Sequence, residues 1–149
     1  MNNPDPNNNK LRRRMLPFLM KPFTLIVMFI ACIFGEVMWM FRAIQEGNQI
    51  EAFLLFLGGL ILGGVSGIWT SRIFDKYYFE SLLGRINIVK TSSGIKNAVF
   101  TFIALGLPMV VSFVKSDSDP ILAIVQSYIF GFICGMNFMI YLWARRLPE

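Results

Sequence analysis

The chain contains no histidine, only two cysteines and only nine acidic residues among 149 positions. Without histidine it lacks the commonest metal ligand and the one side chain that ordinarily titrates near neutrality. Cys32 and Cys134 stand singly in apolar surroundings, so neither a Cys-x-x-Cys metal knuckle nor a nucleophile with a partnering base can be assembled. They read as small apolar packing residues, too deep in their apolar runs for disulfide-forming machinery to reach. The glycine-rich stretch "GGLILGGVSG" (58–67) lacks the Lys-Ser/Thr ending of a phosphate loop. No catalytic residue, cofactor or metal is expected, and the chain is not expected to be an enzyme.

Charge is scarce as well. Only 15% of residues are charged, against about 25% in an ordinary soluble domain. The charges leave four long gaps: residues 22–35, extending to 41 if Glu36 is tolerated, then 52–71, 97–114 and 120–144. About 20 apolar residues in a helix rising 1.5 Å each cross a hydrocarbon core roughly 30 Å thick. The expected fold is therefore an all-α integral membrane protein with four transmembrane helices, spanning about 22–41, 52–71, 97–114 and 121–143 and arranged as two antiparallel hairpins. Most Lys and Arg fall before residue 22, within 72–96 or after 144, leaving only Arg42 and Lys115 opposite. Such an asymmetry puts both termini and the middle loop in the cytoplasm of a cell-membrane protein, with basic residues against anionic headgroups. No basic surface interleaved with aromatics points to nucleic acid.

Residues 1–21, beginning "MNNPDPNNN", read as a disordered basic tail; 22–146 form the membrane domain and 147–149 a short C-terminal tail. The first helix should open at Pro22, and "RAIQEGNQIE" (42–51) should be an external turn broken at Gly47-Asn48. Beyond Thr70 the second helix should continue as an interfacial amphipathic segment, with Phe74, Tyr77, Tyr78 and Leu82 on one face and Gly84 as its stop. A loop follows, with Ser92 or Ser93 capping a third helix that Gly106 and Pro108 should kink.

Two patterns carry functional readings. Gly59, Gly63 and Gly67 recur every four residues in the second helix, and Ala123, Ser127, Gly131 and Gly135 do so in the fourth. In lipid such strips let backbones approach closely. They suggest a membrane scaffold or complex subunit that associates with itself, as a homo-oligomer, or with other membrane proteins.

The second pattern is a single acid. Glu36 lies about 6 Å beyond the midpoint of its span, where a charge costs roughly 2.5–3.5 kcal/mol on insertion scales. Gln126, Ser127 and Tyr128 fall at the same depth in the fourth span, and no Lys or Arg does. Three uses stay open: a protonated carboxyl hydrogen-bonded to Tyr128 or Gln126, a carboxyl reaching an outer vestibule, or a proton- or cation-exchanging site formed by Glu36, Tyr128 and Gln126. The triplet Gly35-Glu36-Val37 in the first of four short helices resembles the membrane carboxylate of the small multidrug resistance family, which would imply proton-coupled transport. The basic 72–96 loop and the one-sided charge depart from those near-neutral, dually oriented proteins.

Overall fold

The computed structural model describes residues 21–82, 84–108, 110 and 120–146. Among them the structure is all-helical, without strands. Segments of three helices, Pro22–Gln45, Gln49–Tyr77 and Ile124–Arg145, are long and apolar enough to cross a membrane. The expected N-terminal tail through residue 20, the end of the third span (111–114), the second external turn and the final three residues lie outside the described residues.

Helix α1 (Pro22–Gln45) opens with Pro22 at its first position, where the missing N–H would have had no helical partner. It outlasts the expected end at Phe41. The Arg42 guanidinium reaches Glu46 one turn on, at 3.0 Å, and lies over the Trp39 ring at 5.3 Å, so the supposed start of the external turn is still helical. The chain reverses only at Gly47, with φ 77°. There the Gly47 and Asn48 amides donate back to the Ile44 and Ala43 carbonyls, a Schellman stop that needs a left-handed residue.

Helix α2 (Gln49–Leu82) is 34 residues long, about 50 Å at 1.5 Å per residue, so its last third overshoots a hydrocarbon slab. It ends on a second Schellman stop, Gly84 and Arg85 donating to Ser81 and Glu80. The segment expected at the interface packs against α4 at its start. Ile73 is buried, the Phe74 ring lies 5.8 Å from Trp143, and the Trp143 indole donates to Asp75 Oδ1 at 2.6 Å.

Helix α3 (Ser92–Thr101) is capped by Thr91, not by Ser92 or Ser93: the Gly94 amide donates to Thr91 Oγ1 at 3.1 Å. A preceding 3-10 turn, Ile88–Lys90, brings the Ile88 carbonyl against Gly94. At its far end α3 passes into a π-helical turn, Phe102–Gly106. This turn lies just before Pro108, where a proline deprives the ladder of a donor and a widened turn takes up the mismatch.

Helix α4 (Pro120–Arg145) makes its most extensive contact with α2. Gly59 lies against the Tyr128 carbonyl, Gly63 against that of Phe132 and Gly67 against that of Met136. Reciprocally, Gly131 meets the Phe56 carbonyl and Gly135 that of Leu60. Residue numbers rise together along these pairs, so α2 and α4 run parallel, backbone on backbone. Numbers run oppositely between α1 and α4, where Gly35 meets the Phe130 ring and Phe29 faces Phe138 at 6.3 Å. α3 attaches to α2 through Asn97 Nδ2 donating to Thr70 Oγ1 at 2.8 Å, a Ser66–Thr101 hydroxyl pair at 2.9 Å and a Trp69–Phe100 ring contact.

A candidate functional site in the seam between α1 and α4

The buried residues of α1 are Leu25, Cys32, Glu36 and Ala43. Their spacings of seven, four and seven place them on one helical face. The rest of the helix is widely exposed and apolar, as a segment surrounded by hydrocarbon would be. Glu36 therefore turns its carboxyl inward, at 7% exposure, onto the face that meets α4.

From α4 the Ser127 hydroxyl, fully buried, faces that carboxyl. Neither Glu36 oxygen, nor Ser127 Oγ, completes a hydrogen bond among the described residues. About one helical turn along the seam toward the start of α1, the Cys32 and Cys134 thiols face each other across the two helices. Further the same way, Asn137 is buried with its Nδ2 unpartnered among the described residues. Beside it a cavity of about 170 Å³ is lined by Leu25, Ile26, Phe29, Phe138 and Tyr141.

The sequence grouped Glu36 with Tyr128 and Gln126, and the structure does not join them by hydrogen bonds. Tyr128 stacks near Phe132 at 6.4 Å and borders a groove with Leu55, Leu107, Pro108 and Val125, on the side of α2 and α3. Gln126 is half-buried. Ser127, read as part of a packing strip, is the residue that meets the acid. A four-residue step turns a helix about 40° past a full circle, so Ser127 and Gly135, two steps apart, differ by about 80°. That drift turns Ser127 to α1, while Gly131 and Gly135 face α2.

Residues that the sequence reading left out include Asn137, the thiol pair as a pair, and the Asp75–Trp143, Thr70–Asn97 and Ser66–Thr101 bonds. Their partners are separated by 68, 27 and 35 positions respectively, and no local pattern announces such contacts. Comparison with family models, curated proteins and solved structures gives no match.

Chemically, the seam offers one carboxyl, one hydroxyl that can donate to it, two thiols and one amide. Among the described residues no group of three or more Cys, Asp or Glu side chains is placed to hold a metal ion.

Proposed function

We propose that the chain is a small, non-enzymatic integral protein of the cell membrane, with four helices in two hairpins and both termini cytoplasmic, that works by exchanging a proton or cation at Glu36. The observation that carries this reading is the carboxyl itself: 7% exposed, turned away from the outer apolar face, and without a hydrogen-bond partner on either oxygen among the described residues. A polar group left so in a protein interior forgoes about 1–3 kcal/mol of hydrogen bonding. A purely structural acid would be expected to have found its partner, and Tyr128 and Gln126 do not supply one. The glycine strips support the same reading indirectly. Because they are spent on contact between α2 and α4 within one chain, they are not a free surface for assembly.

Reconstituted protein in liposomes with a trapped pH indicator tests it. Wild type should dissipate an imposed pH gradient or couple it to solute movement, and Glu36→Gln, which keeps shape and loses the exchangeable proton, should not. A Gln variant with wild-type flux would remove the proposal.

A second reading, a scaffold or complex subunit, is favoured by one different observation. Beside α3 an open, largely apolar groove of about 540 Å³ runs past Thr70, Asn97, Thr101 and Met136. A neighbouring membrane helix would fit there. Crosslinking from Ala98→Cys to other membrane proteins, or to a second copy, would support it, and its absence in native membranes would oppose it.

A further inference from the structure

Asn137 is 3% exposed, and its Nδ2 has no hydrogen-bond partner among the described residues. It stands in the wall of the half-open groove of about 170 Å³ between α1 and α4, whose other walls are Leu25, Ile26, Phe29, Phe138 and Tyr141. A half-turn of the amide about its last side-chain bond decides whether its oxygen or its N–H faces that groove. Lys21 precedes α1 and Arg145 lies in the last turn of α4. Phe29 and Asn137 each stand eight residues from these cations, about 12 Å along a helix. Because Lys and Arg at the ends of a span reach for the headgroups, the amide of the chain in a membrane sits well inside the hydrocarbon.

That depth and those walls select the occupant. A water needs two to four polar partners, and the groove is almost wholly apolar. A phospholipid carries its ester carbonyls at the headgroup boundary, and the acyl chain that reaches the depth of Asn137 has no acceptor to offer. A molecule dissolved in the hydrocarbon and carrying its own acceptor satisfies the amide where neither of these does. Phe29, Phe138 and Tyr141 favour a flat ring, against which their own rings pack offset or edge-on. An apolar cavity of about 150 Å³ takes up benzene, so this groove has room for one substituted ring. Ile26 and Phe138 are exposed, which leaves the open side free for an apolar tail to run out into lipid. We propose that the groove binds the ring of an uncharged, membrane-dissolved carbonyl compound of the quinone class, whose carbonyl oxygen accepts from Asn137 Nδ2. Glu36 is seven residues, about two helical turns, beyond Phe29, so binding here does not depend on how that acid is used.

Duroquinone, the tetramethylated benzoquinone, tests this on the full chain in lipid nanodiscs, against durene, the tetramethylbenzene of the same flat outline without carbonyls. Every ring carbon of duroquinone is substituted, so the Cys32 and Cys134 thiols have no open position to add to. Both compounds are titrated in radiolabelled form, and binding is counted above that of empty nanodiscs of the same lipid. Wild type should bind duroquinone saturably, one per chain, and about tenfold more tightly than durene, the equivalent of roughly 1.4 kcal/mol. Asn137→Leu should bring the two affinities within about twofold of each other, since it removes the donor and leaves the aromatic walls. Ile26→Trp, a larger ring at an exposed position, should fold and lose both compounds, and it decides the matter if Asn137→Leu does not fold. No saturable binding of duroquinone by wild type, equal affinity for the two compounds, a preference that persists in folded Asn137→Leu, or unchanged binding in Ile26→Trp would each overturn the proposal. Absence of binding together with cross-linking of Phe138→Cys to residues 1–20 or to a second copy would overturn it as well, and would assign the groove to that occupant.

Discussion

Adjacent glycines on α2 should respond in opposite directions to the same substitution. A methyl group on Gly63 would overlap the Phe132 carbonyl oxygen and stand 2.7 Å from its carbon and 2.8 Å from its Cα. These are backbone atoms of a facing helix and cannot rotate aside. Restoring ordinary carbon contact near 3.5 Å means separating α2 from α4 by the better part of an ångström, and a gap of 0.5–1 Å forfeits a quarter to a half of each dispersion contact. Overpacking of this kind costs about 1–3 kcal/mol. A methyl on Gly64 meets only the Met139 side chain at 4.0 Å, and one on Gly58 meets nothing within 4 Å. There alanine removes the backbone freedom that makes glycine unfavourable in a helix, a gain of about 0.5–1 kcal/mol. Gly63→Ala should therefore lie about 1.5–4 kcal/mol below Gly64→Ala in stability, the difference of these two effects. Gly63→Leu and Gly135→Leu should be worse than alanine at the same sites. Unfolding in mixed detergent, followed by helical circular dichroism, measures the differences. Equal midpoints for Gly63→Ala and Gly64→Ala would refute the backbone contact between the two helices.

Other outcomes follow from the same geometry. Because neither Glu36 oxygen has a hydrogen bond to lose among the described residues, Glu36→Leu should be at least as stable as wild type, by up to about 1–3 kcal/mol; a clear loss of stability would mean that the acid is bonded. Asp75→Ala should cost about 1 kcal/mol, less than a fully buried charged bond because Asp75 is exposed, and should shift Trp143 fluorescence, whereas an unchanged spectrum would mean that the indole is not held. A double-mutant cycle on Ser66→Ala and Thr101→Ala should return a coupling near 0.6 kcal/mol, the average for such bonds between membrane helices, and zero coupling would detach α3 from α2 at that point. Reporters at Asn48 and after Glu149 should lie on opposite sides of the membrane, and the same compartment for both would exclude two hairpins.

The long apolar helices were legible because charge is so unevenly spaced that few alternatives exist. The glycines at 59, 63 and 67 were legible as a smooth face, since a period of four in a helix has one geometric meaning. Which helix they meet was not, because a strip carries no address. Glu36 was visible as an anomaly of composition, but a single acid in an apolar helix does not itself say whether it turns inward or outward. Ser127 was placed at the depth of Glu36 but assigned to the packing strip, because the 40° drift of a four-residue step is easily overlooked. Helix ends were misjudged where a specific side chain decides them. The Arg42–Glu46 pair extends α1 past Phe41, and Thr91 takes the cap expected of the serines that follow it. Asp75 and Trp143 sit 68 residues apart, and only the parallel register of α2 and α4 brings them together.

The central claim is that Glu36 takes and releases a proton inside the α1–α4 seam. Infrared difference spectroscopy of the reconstituted protein tests it most directly, by following the carbonyl stretch of a protonated carboxyl as pH is changed. The account predicts a band from a carboxyl in apolar surroundings that grows as pH falls, reverses as it rises, and is missing from Glu36→Gln at every pH. A band in wild type that does not respond to pH, or one that persists in Glu36→Gln, would contradict it.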